Sequence, residues 1–89
     1  MSDDALTSES TSPLRAVVEV IVKALVDKPD SVRVTESERR GITILELTTA
    51  PNDMGKIIGR LGRTASALRT LVAVTAEKHG KKAQLDIRD

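Results

Sequence analysis

The stretch Gly55-Lys-Ile-Ile-Gly-Arg-Leu-Gly-Arg-Thr-Ala-Ser-Ala-Leu-Arg69 decides how the fold of this chain is interpreted, because it holds three glycines and four basic residues. Gly59 and Gly62 enclose Arg60 and Leu61, so the backbone can turn sharply where no Cβ obstructs it and another molecule can approach closely. A helical pattern follows directly, which places the turn near the positive end of a helix dipole. The stretch therefore favours a phosphate group.

Charge is unevenly distributed along the 89 residues, although the formal net charge is only +1. Residues 1–53 hold ten acidic and six basic residues, a net charge of −4, whereas residues 54–82 hold seven basic residues and one acidic residue, a net charge of +6. The remaining residues contribute −1. The nearly neutral total thus conceals a basic half that contains the glycine-rich stretch and suits an anionic partner.

Composition excludes several classes of site. The chain has no cysteine, so disulfides and thiolate metal sites are absent, and a single histidine cannot build a zinc site. The first residues lack the pattern of a secretory signal, and no apolar segment approaches the length of a membrane span. We therefore expect a soluble cytoplasmic protein with no membrane partner, no metal, no cofactor and no small-molecule substrate.

The N-terminal half predicts a tail, a helix and the beginning of a sheet. Residues 1–11 are rich in Ser, Thr and Asp, which predicts a disordered tail before a single domain at residues 12–89. Ser12 and Pro13 are typical of a helix start, and Pro29 marks its end. Apolar residues recur between them at helical spacing: Leu14, Val17, Val18, Ile21, Val22, Leu25 and Val26.

Two strands follow. Residues 31–36 alternate apolar and polar positions as a short strand does, and residues 38–41 predict a charged turn. Residues 42–49 give the strongest strand signal, with Ile42 and Ile44 on one face and Leu45 and Leu47 on the other. This strand is either central and contacted on both faces, or it contains a bulge near Leu45.

The C-terminal half predicts two helices around the glycine turn and a last strand. Asn52 or Asp53 is expected to cap a short helix that runs through Ile58. A second long helix ends at Gly80, and alternation of apolar residues then predicts a strand over residues 83–88. The apolar positions of the long helix are Ala65, Leu68, Leu71, Val72, Thr75 and Ala76. The fold class is therefore α+β, two-layered, in the order α-β-β-α-α-β, with three strands covered by three helices.

The glycine spacing does not suit a nucleotide-dependent enzyme. Glycines at positions 55, 59 and 62 lack the Gly-x-Gly-x-x-Gly fingerprint of dinucleotide-binding folds, and the P-loop pattern is also missing. Gly55 and Gly59 form a Gly-x-x-x-Gly pair, but this pair matters only within a membrane span. His79 and Ser66 have no companion residues that would form a nucleophilic site. We predict that the protein is not an enzyme.

The six residues Ile57-Ile58-Gly59-Arg60-Leu61-Gly62, followed by a helix, resemble the core pattern of the K-homology (KH) domain. The order of elements is similar to that of the type II variant. Three further segments resemble the KhpA family of small bacterial single-KH proteins: Leu-Val-Asp-Lys-Pro at 25–29, Ala-Pro-Asn-Asp-Met-Gly-Lys-Ile-Ile-Gly at 50–59 and Gly-Arg-Thr-Ala-Ser-Ala-Leu-Arg-Thr at 62–70. The resemblance covers roughly residues 13–88.

The resemblance implies that the Gly-x-x-Gly turn clamps the backbone of single-stranded RNA against an apolar groove. The residues expected to contact RNA are Lys56, Ile57, Ile58, Gly59, Arg60, Leu61, Gly62, Arg63, Ala65 and Arg69, with the Lys81-Lys82 pair as a possible extension of the cationic track. At least one of the two isoleucines is expected to belong to the core instead. Since the chain has no aromatic residue on which bases could stack, a groove of aliphatic side chains and backbone remains.

The resemblance also implies a homodimer or a heterodimer with a KhpB-like protein, and a post-transcriptional regulator or RNA chaperone linked to cell elongation or division. A dimer would join two weak grooves and raise avidity. Two alternatives stay open at this point. In the first alternative, the chain is a protein–protein scaffold that binds little RNA. In the second, its ligand is single-stranded DNA.

Overall fold

A computed structural model describes residues 12–88. The predicted tail at residues 1–11 and the last residue of the predicted domain lie outside this range. The described chain forms helix α1 (Pro13–Leu25), strands β1 (Arg33–Arg39) and β2 (Ile42–Thr48), helices α2 (Met54–Ile58) and α3 (Arg63–Lys78), and strand β3 (Lys82–Arg88). The predicted α+β class and the order α-β-β-α-α-β are confirmed.

The three strands form one mixed sheet in the order β1-β2-β3. β1 pairs with β2 in antiparallel orientation and β2 pairs with β3 in parallel orientation, so β2 is central and β3 is an edge strand. Both registers run without a bulge, which eliminates the bulge considered for β2. Leu45 and Leu47 are fully buried beneath the helices, whereas Ile42 and Ile44 are half-buried on the opposite face of the sheet.

The hydrophobic core lies between the sheet and the three helices. Ile57 from α2 and Val72 from α3 pack there with Leu14, Val18 and Val22 from α1. Leu71 and Leu25, which the helical pattern assigned to the apolar faces, are about two-fifths exposed at 43% and 41%. The buried face of each of the two long helices, α1 and α3, is thus narrower than the sequence pattern predicts.

Helix ends follow local rules that were predicted from the sequence. The Ser12 side chain accepts a hydrogen bond from the Arg15 amide at 3.1 Å, and Pro13 occupies the first turn. At the end of α3, Gly80 has a φ of 68°, and the Lys81 amide donates to the Ala76 carbonyl at 2.8 Å. This is a Schellman motif, which turns the chain directly into β3.

The hairpin between β1 and β2 is tighter than predicted. β1 continues to Arg39 and β2 begins at Ile42, so Arg40 and Gly41 alone form the turn, with φ values of 55° and 79°. Positive φ at both central residues is what a type I′ turn requires, and this turn matches the twist of the paired strands. The predicted turn at residues 38–41 and strand at residues 31–36 are therefore corrected to these bounds. Residues 29–31 form a 3₁₀ turn instead.

Candidate nucleic-acid interface

The GxxG loop, residues 59–62, joins α2 to α3 at the surface. Gly59 has φ 78° and ψ 170°, a combination that is essentially restricted to glycine. A Cβ at Gly59 would lie 2.2 Å from the Oγ1 and 2.8 Å from the backbone nitrogen of Thr64. Gly59 therefore allows the first turn of α3 to pack directly against the loop. Thr64 was not singled out by the sequence, because a small polar residue in a helix carries no distinctive signal.

The other half of the loop is held by backbone conformation rather than by packing. Leu61 has φ 58° and ψ 24°, and Gly62 has φ 74° and ψ 14°, so both lie in the left-handed region. A Cβ at Gly62 would meet no atom of residues 12–88 within 4 Å. The Gly62 amide donates to the Gly59 carbonyl at 3.1 Å, which closes the turn. This conformation directs the Leu61 side chain outward, where it is 82% exposed.

Cations and apolar side chains lie together at the loop. Arg60 and Arg63 are exposed, and neither takes part in an ion pair within residues 12–88. Ile58, which ends α2, is 39% exposed beside them. The first amides of α3 and the positive end of its dipole face the same region. The loop thus combines uncompensated positive charge, donors and apolar surface in one place.

Two of the predicted contact residues belong to the core instead. Ile57 is 0% exposed and Ala65 is 3% exposed, so neither side chain is available to line a groove. Ile58 and Leu61 are the accessible apolar residues of the predicted set. Helical geometry explains the division, because adjacent residues point about 100° apart and α2 buries only the side that carries Ile57. The expectation that at least one isoleucine is core is confirmed, and the residue is Ile57.

Lys56 lies on α2 beside two carboxylates. Its ammonium lies 3.1 Å from Oδ2 of Asp27 and 3.6 Å from Oδ1 of Asp53. The hydrogen bond and the charge of Asp27, together with the charge of Asp53, raise the pKa of Lys56 above its usual 10.5. A lysine that is already neutralised by two carboxylates is a poor partner for phosphate. The contact of Lys56 with RNA stays a prediction, with Asp27 and Asp53 as competitors for its ammonium.

Asp53 is the centre of this second cluster, which we call the Asp53 network: Asp53, Lys56 and the segment Asp27-Lys28. Asp53 occupies the N-cap position of α2, one of the two residues that the sequence offered for it, but its buried side chain makes no capping hydrogen bond. Its two carboxylate oxygens accept hydrogen bonds from the amides of Asp27 at 3.1 Å and Lys28 at 3.0 Å. Asp53 therefore ties the segment after α1 to the start of α2.

The ionised form of Asp53 is favoured by these contacts. The Asp27 amide contributes most, and the Lys28 amide and the Lys56 ammonium act in the same direction. Together they hold the pKa of Asp53 below its usual 3.8, against the opposing effect of burial. Only the spacing of Asp53 and Lys56, three residues apart, was visible in the sequence. Their partner Asp27 is distant in the chain.

Arg69 lies farther along α3, at the outer edge of β3. Its Nε donates to the Leu85 carbonyl at 3.4 Å, so the guanidinium rests on the exposed edge of the sheet. Arg69 takes part in no ion pair within residues 12–88. The structure thus brings together Arg60, Leu61 and Arg63 at the loop, with Arg69 as the next cation along the helix.

The described residues also bear on metal binding and on membrane insertion. No three acidic or histidine side chains of residues 12–88 form a group that could hold a metal ion. None of the helices in that range has the length and apolar character needed to cross a bilayer.

Comparison with known proteins gives consistent matches. The model of the family described as KhpA/KhpB, KH domain, matches residues 15–87. RNA-binding protein KhpA of Halalkalibacterium halodurans is 47% identical over 76 residues, which cover 85% of this chain and 100% of the relative. RNA-binding protein KhpA of Borreliella burgdorferi is 49% identical over 82% of this chain and 89% of the relative. RNA-binding protein KhpA of Aquifex aeolicus is 45% identical over 85% of this chain and 96% of the relative.

These matches confirm the resemblance that the glycine-rich stretch indicated. The family is one of KH domains and the relatives are named RNA-binding proteins rather than enzymes, which confirms the prediction that the protein is not an enzyme.

Proposed function

The chain belongs to the KhpA/KhpB family of KH domains, and from this premise we propose that it binds single-stranded RNA through the GxxG loop. The observation that carries the proposal is the loop itself, in which Leu61 is 82% exposed between Arg60 and Arg63. KH domains clamp about four nucleotides with this loop. Similarity of 45% to 49% to three proteins named for RNA binding supports the same role.

The proposed mechanism divides the work among three kinds of group. Gly59 and Gly62 let the sugar–phosphate backbone approach the loop closely, because they carry no Cβ. Arg60 and Arg63 neutralise phosphates, which releases counterions and makes binding dependent on salt. Ile58 and Leu61 offer aliphatic surface to ribose and bases in place of aromatic stacking. We expect modest affinity and little sequence preference from a single groove of this kind.

A double substitution at the loop tests this mechanism. Arg60→Asp with Leu61→Asp places two acids where phosphate would bind, and aspartate tolerates the left-handed conformation of Leu61 better than most residues do. We expect RNA affinity, measured by fluorescence anisotropy, to fall on the order of tenfold or more. The slope of log affinity against log salt should flatten by about 0.7 for each lost phosphate contact.

A matched control separates loss of binding from general charge effects. Arg33→Asp with Val74→Asp changes one exposed cation and one exposed apolar residue on other surfaces, and Val74 is 58% exposed. This control should bind RNA as the wild type does, and thermal melts should show that both variants fold. Unchanged RNA binding by the folded loop variant would contradict the proposal. Competition with the matching deoxyribonucleotide decides between RNA and single-stranded DNA.

A second candidate function is protein pairing, and the specific observation that favours it is an apolar surface on α1. Ala16, Val17, Val20 and Ile21 line a shallow depression there, and Val20 is 70% exposed. We propose that this face pairs with a second copy of the chain, or with a KhpB-like protein, since one family description joins the two proteins. A dimer would bring two weak RNA grooves together and raise avidity.

Light scattering with size-exclusion chromatography tests the pairing. Val20→Glu should shift a dimeric wild type to monomers, whereas Val74→Glu on the exposed side of α3 should leave the mass unchanged. A Val20→Glu protein that keeps the wild-type mass would eliminate this surface. A protein that pairs normally but binds no RNA in the preceding assay would favour the scaffold role over the RNA-binding role.

The cellular setting is part of the same proposal. We propose that the protein acts in the cytoplasm in post-transcriptional control or as an RNA chaperone, with an influence on cell elongation or division. These points rest on the family resemblance alone. Replacing the native gene with the Arg60→Asp, Leu61→Asp variant and measuring cell length tests them, with the Arg33→Asp, Val74→Asp variant as the control.

A further inference from the structure

A second group of cations lies at the end of the sheet opposite the GxxG loop. Arg39, Arg40, Lys81 and Lys82 are all exposed, and we call them the distal basic cluster. Arg39 ends β1 and Arg40 lies in the β1–β2 turn, whereas Lys81 and Lys82 lie where the chain enters β3. The function proposed for the loop does not use them.

Strand register brings Arg39 and Lys82 onto one surface. Arg39 pairs with Ile42, and Ile42 pairs with Lys82, so the three form a row across the sheet on the face that none of the helices in residues 12–88 covers. In the next row, Ile44 pairs with Gln84. Arg39 and Arg40 line a shallow depression together with Ile42, Ile44 and Gln84. Positive charge therefore surrounds a small apolar floor.

The positive charge of this cluster is not neutralised within residues 12–88. None of the four cations takes part in an ion pair there. The acids on the same face, Glu46 and Asp86, lie four residues farther along their strands, a distance of about 13 Å. Glu46 pairs with Arg88 at 3.1 Å, and Asp86 accepts a hydrogen bond from Gln84. An anionic ligand would thus meet little repulsion.

A route connects this cluster to the loop. α3 runs for about 22 Å from Arg63 to Lys78, and the chain then turns into β3 at Lys82. Arg69 rests on the edge of β3 between the two sites, through its bond to the Leu85 carbonyl. Cations therefore occur at the start, the middle and the end of the path. RNA leaving a clamp of about four nucleotides would encounter them in order.

We infer that the distal basic cluster is a second contact site for single-stranded RNA, reached only by strands longer than the segment held at the GxxG loop. This inference rests on the proposed function of the loop and adds a length requirement to it. Arg39 and Lys82 contact phosphates, and Ile42 and Ile44 contact ribose or base. The chain therefore binds a longer RNA more tightly, beyond the statistical gain from additional binding registers.

The test compares two pools of fluorescein-labelled RNA of randomised sequence, with lengths of about 5 and about 12 nucleotides. The variant is Arg39→Gln with Lys82→Gln, which removes two charges at exposed positions. Its affinity for the long pool should fall about fivefold to tenfold, and its salt slope should flatten by about 0.7 for each lost contact. Its affinity for the short pool should equal that of the wild type. Thermal melts check that the variant folds.

Arg33→Gln is the matched control, because Arg33 is an exposed arginine on the same strand and the same face at the opposite end of the sheet. It should leave both pools unaffected. If the Arg39→Gln, Lys82→Gln protein binds the long pool with wild-type affinity and slope, this inference is overturned while the loop function stands, and the cations are left for an acidic protein partner. If the wild type binds neither pool, the loop function and this inference both fail.

Discussion

The two ends of the short helix α2 differ in how their charges are used. At its start, the Asp53 network matches Lys56 with two carboxylates and matches Asp53 with two backbone amides. Just beyond its end, four residues after Lys56, Arg60 is exposed and takes part in no ion pair within residues 12–88. The first end joins parts of the fold, and the second is left available to a ligand. The structure therefore separates two basic residues that look alike in the sequence: Lys56 has two acids beside it, whereas Arg60 has no ion-pair partner within residues 12–88.

The largest expected effect on stability is at Gly59, which shapes the loop that follows α2. Gly59→Ala forces a Cβ into Thr64 and a backbone conformation that alanine rarely adopts. We expect the free energy of unfolding to fall by about 3 kcal/mol, measured by urea denaturation. Gly62→Ala is the comparison, since its new Cβ would meet no atom of residues 12–88 within 4 Å. Its only cost is the left-handed backbone conformation, which lowers the free energy of unfolding by about 1 kcal/mol. Equal losses at both positions would show that contact with Thr64 is unimportant.

The next effect on stability concerns the start of α2, where Asp53 accepts hydrogen bonds from two backbone amides. Asp53→Asn leaves one acceptor oxygen for two amides and places an NH₂ donor against one of them. We expect Tm to fall by about 5 °C or more in thermal melts. Asp27→Asn is the control, because the Asp27 side chain is 77% exposed and its pairing with Lys56 should matter little. A protein with Asp53→Asn and an unchanged Tm would remove the structural role assigned here to the network.

A smaller effect compares two cations directly. Arg60→Gln should weaken RNA binding about fivefold and flatten the salt slope by about 0.7, because an uncompensated cation is lost. Lys56→Gln should leave affinity and slope unchanged, since its ammonium is already paired with Asp27 and Asp53. Fluorescence anisotropy over a salt series measures both variants. Equal losses of affinity would mean that RNA competes successfully for Lys56.

The smallest expected effect is the loss of stability at low pH. Because the pKa of Asp53 is lowered in the folded state, its contribution to stability is complete above the usual value of 3.8 and is lost as pH falls through the lower folded value. The wild type should therefore lose stability below about pH 4 more steeply than the Asp53→Asn variant does. Urea unfolding at several pH values checks this. Parallel pH profiles for the two proteins would contradict the assigned pKa direction.

Local sequence signals were sufficient for most of the elements. Ser12 and Pro13 begin α1 and Gly80 ends α3 as predicted, since caps depend on neighbouring residues. The hairpin turn was assigned two residues too many, because the charged residues 38 and 39 look like a loop although they continue a strand. Polar side chains are compatible with a strand whose outer positions face solvent.

The candidate site was less completely predictable. The position of the loop was visible from its glycines, but four of its assigned contacts depended on packing. The side chains of Ile57 and Ala65 are buried, and the Lys56 ammonium forms an ion pair with Asp27. Arg69 reached the edge of β3. The sequence pattern contains the helical period but not the direction of its buried side, so it could not separate these residues from Ile58 and Arg63.

The amino-acid sequence by itself determined the order of the helices and strands, the tight GxxG turn and the concentration of basic residues around it, because caps, glycines and hydrophobic periods act over a few neighbouring residues. Only the tertiary structure decided which cations stay unpaired, which isoleucine is buried and which strand lies at the edge. Those properties depend on groups that are distant in the chain, such as Asp27 and Asp53, and a carboxylate neutralises a cation only when folding brings the two within a few ångströms.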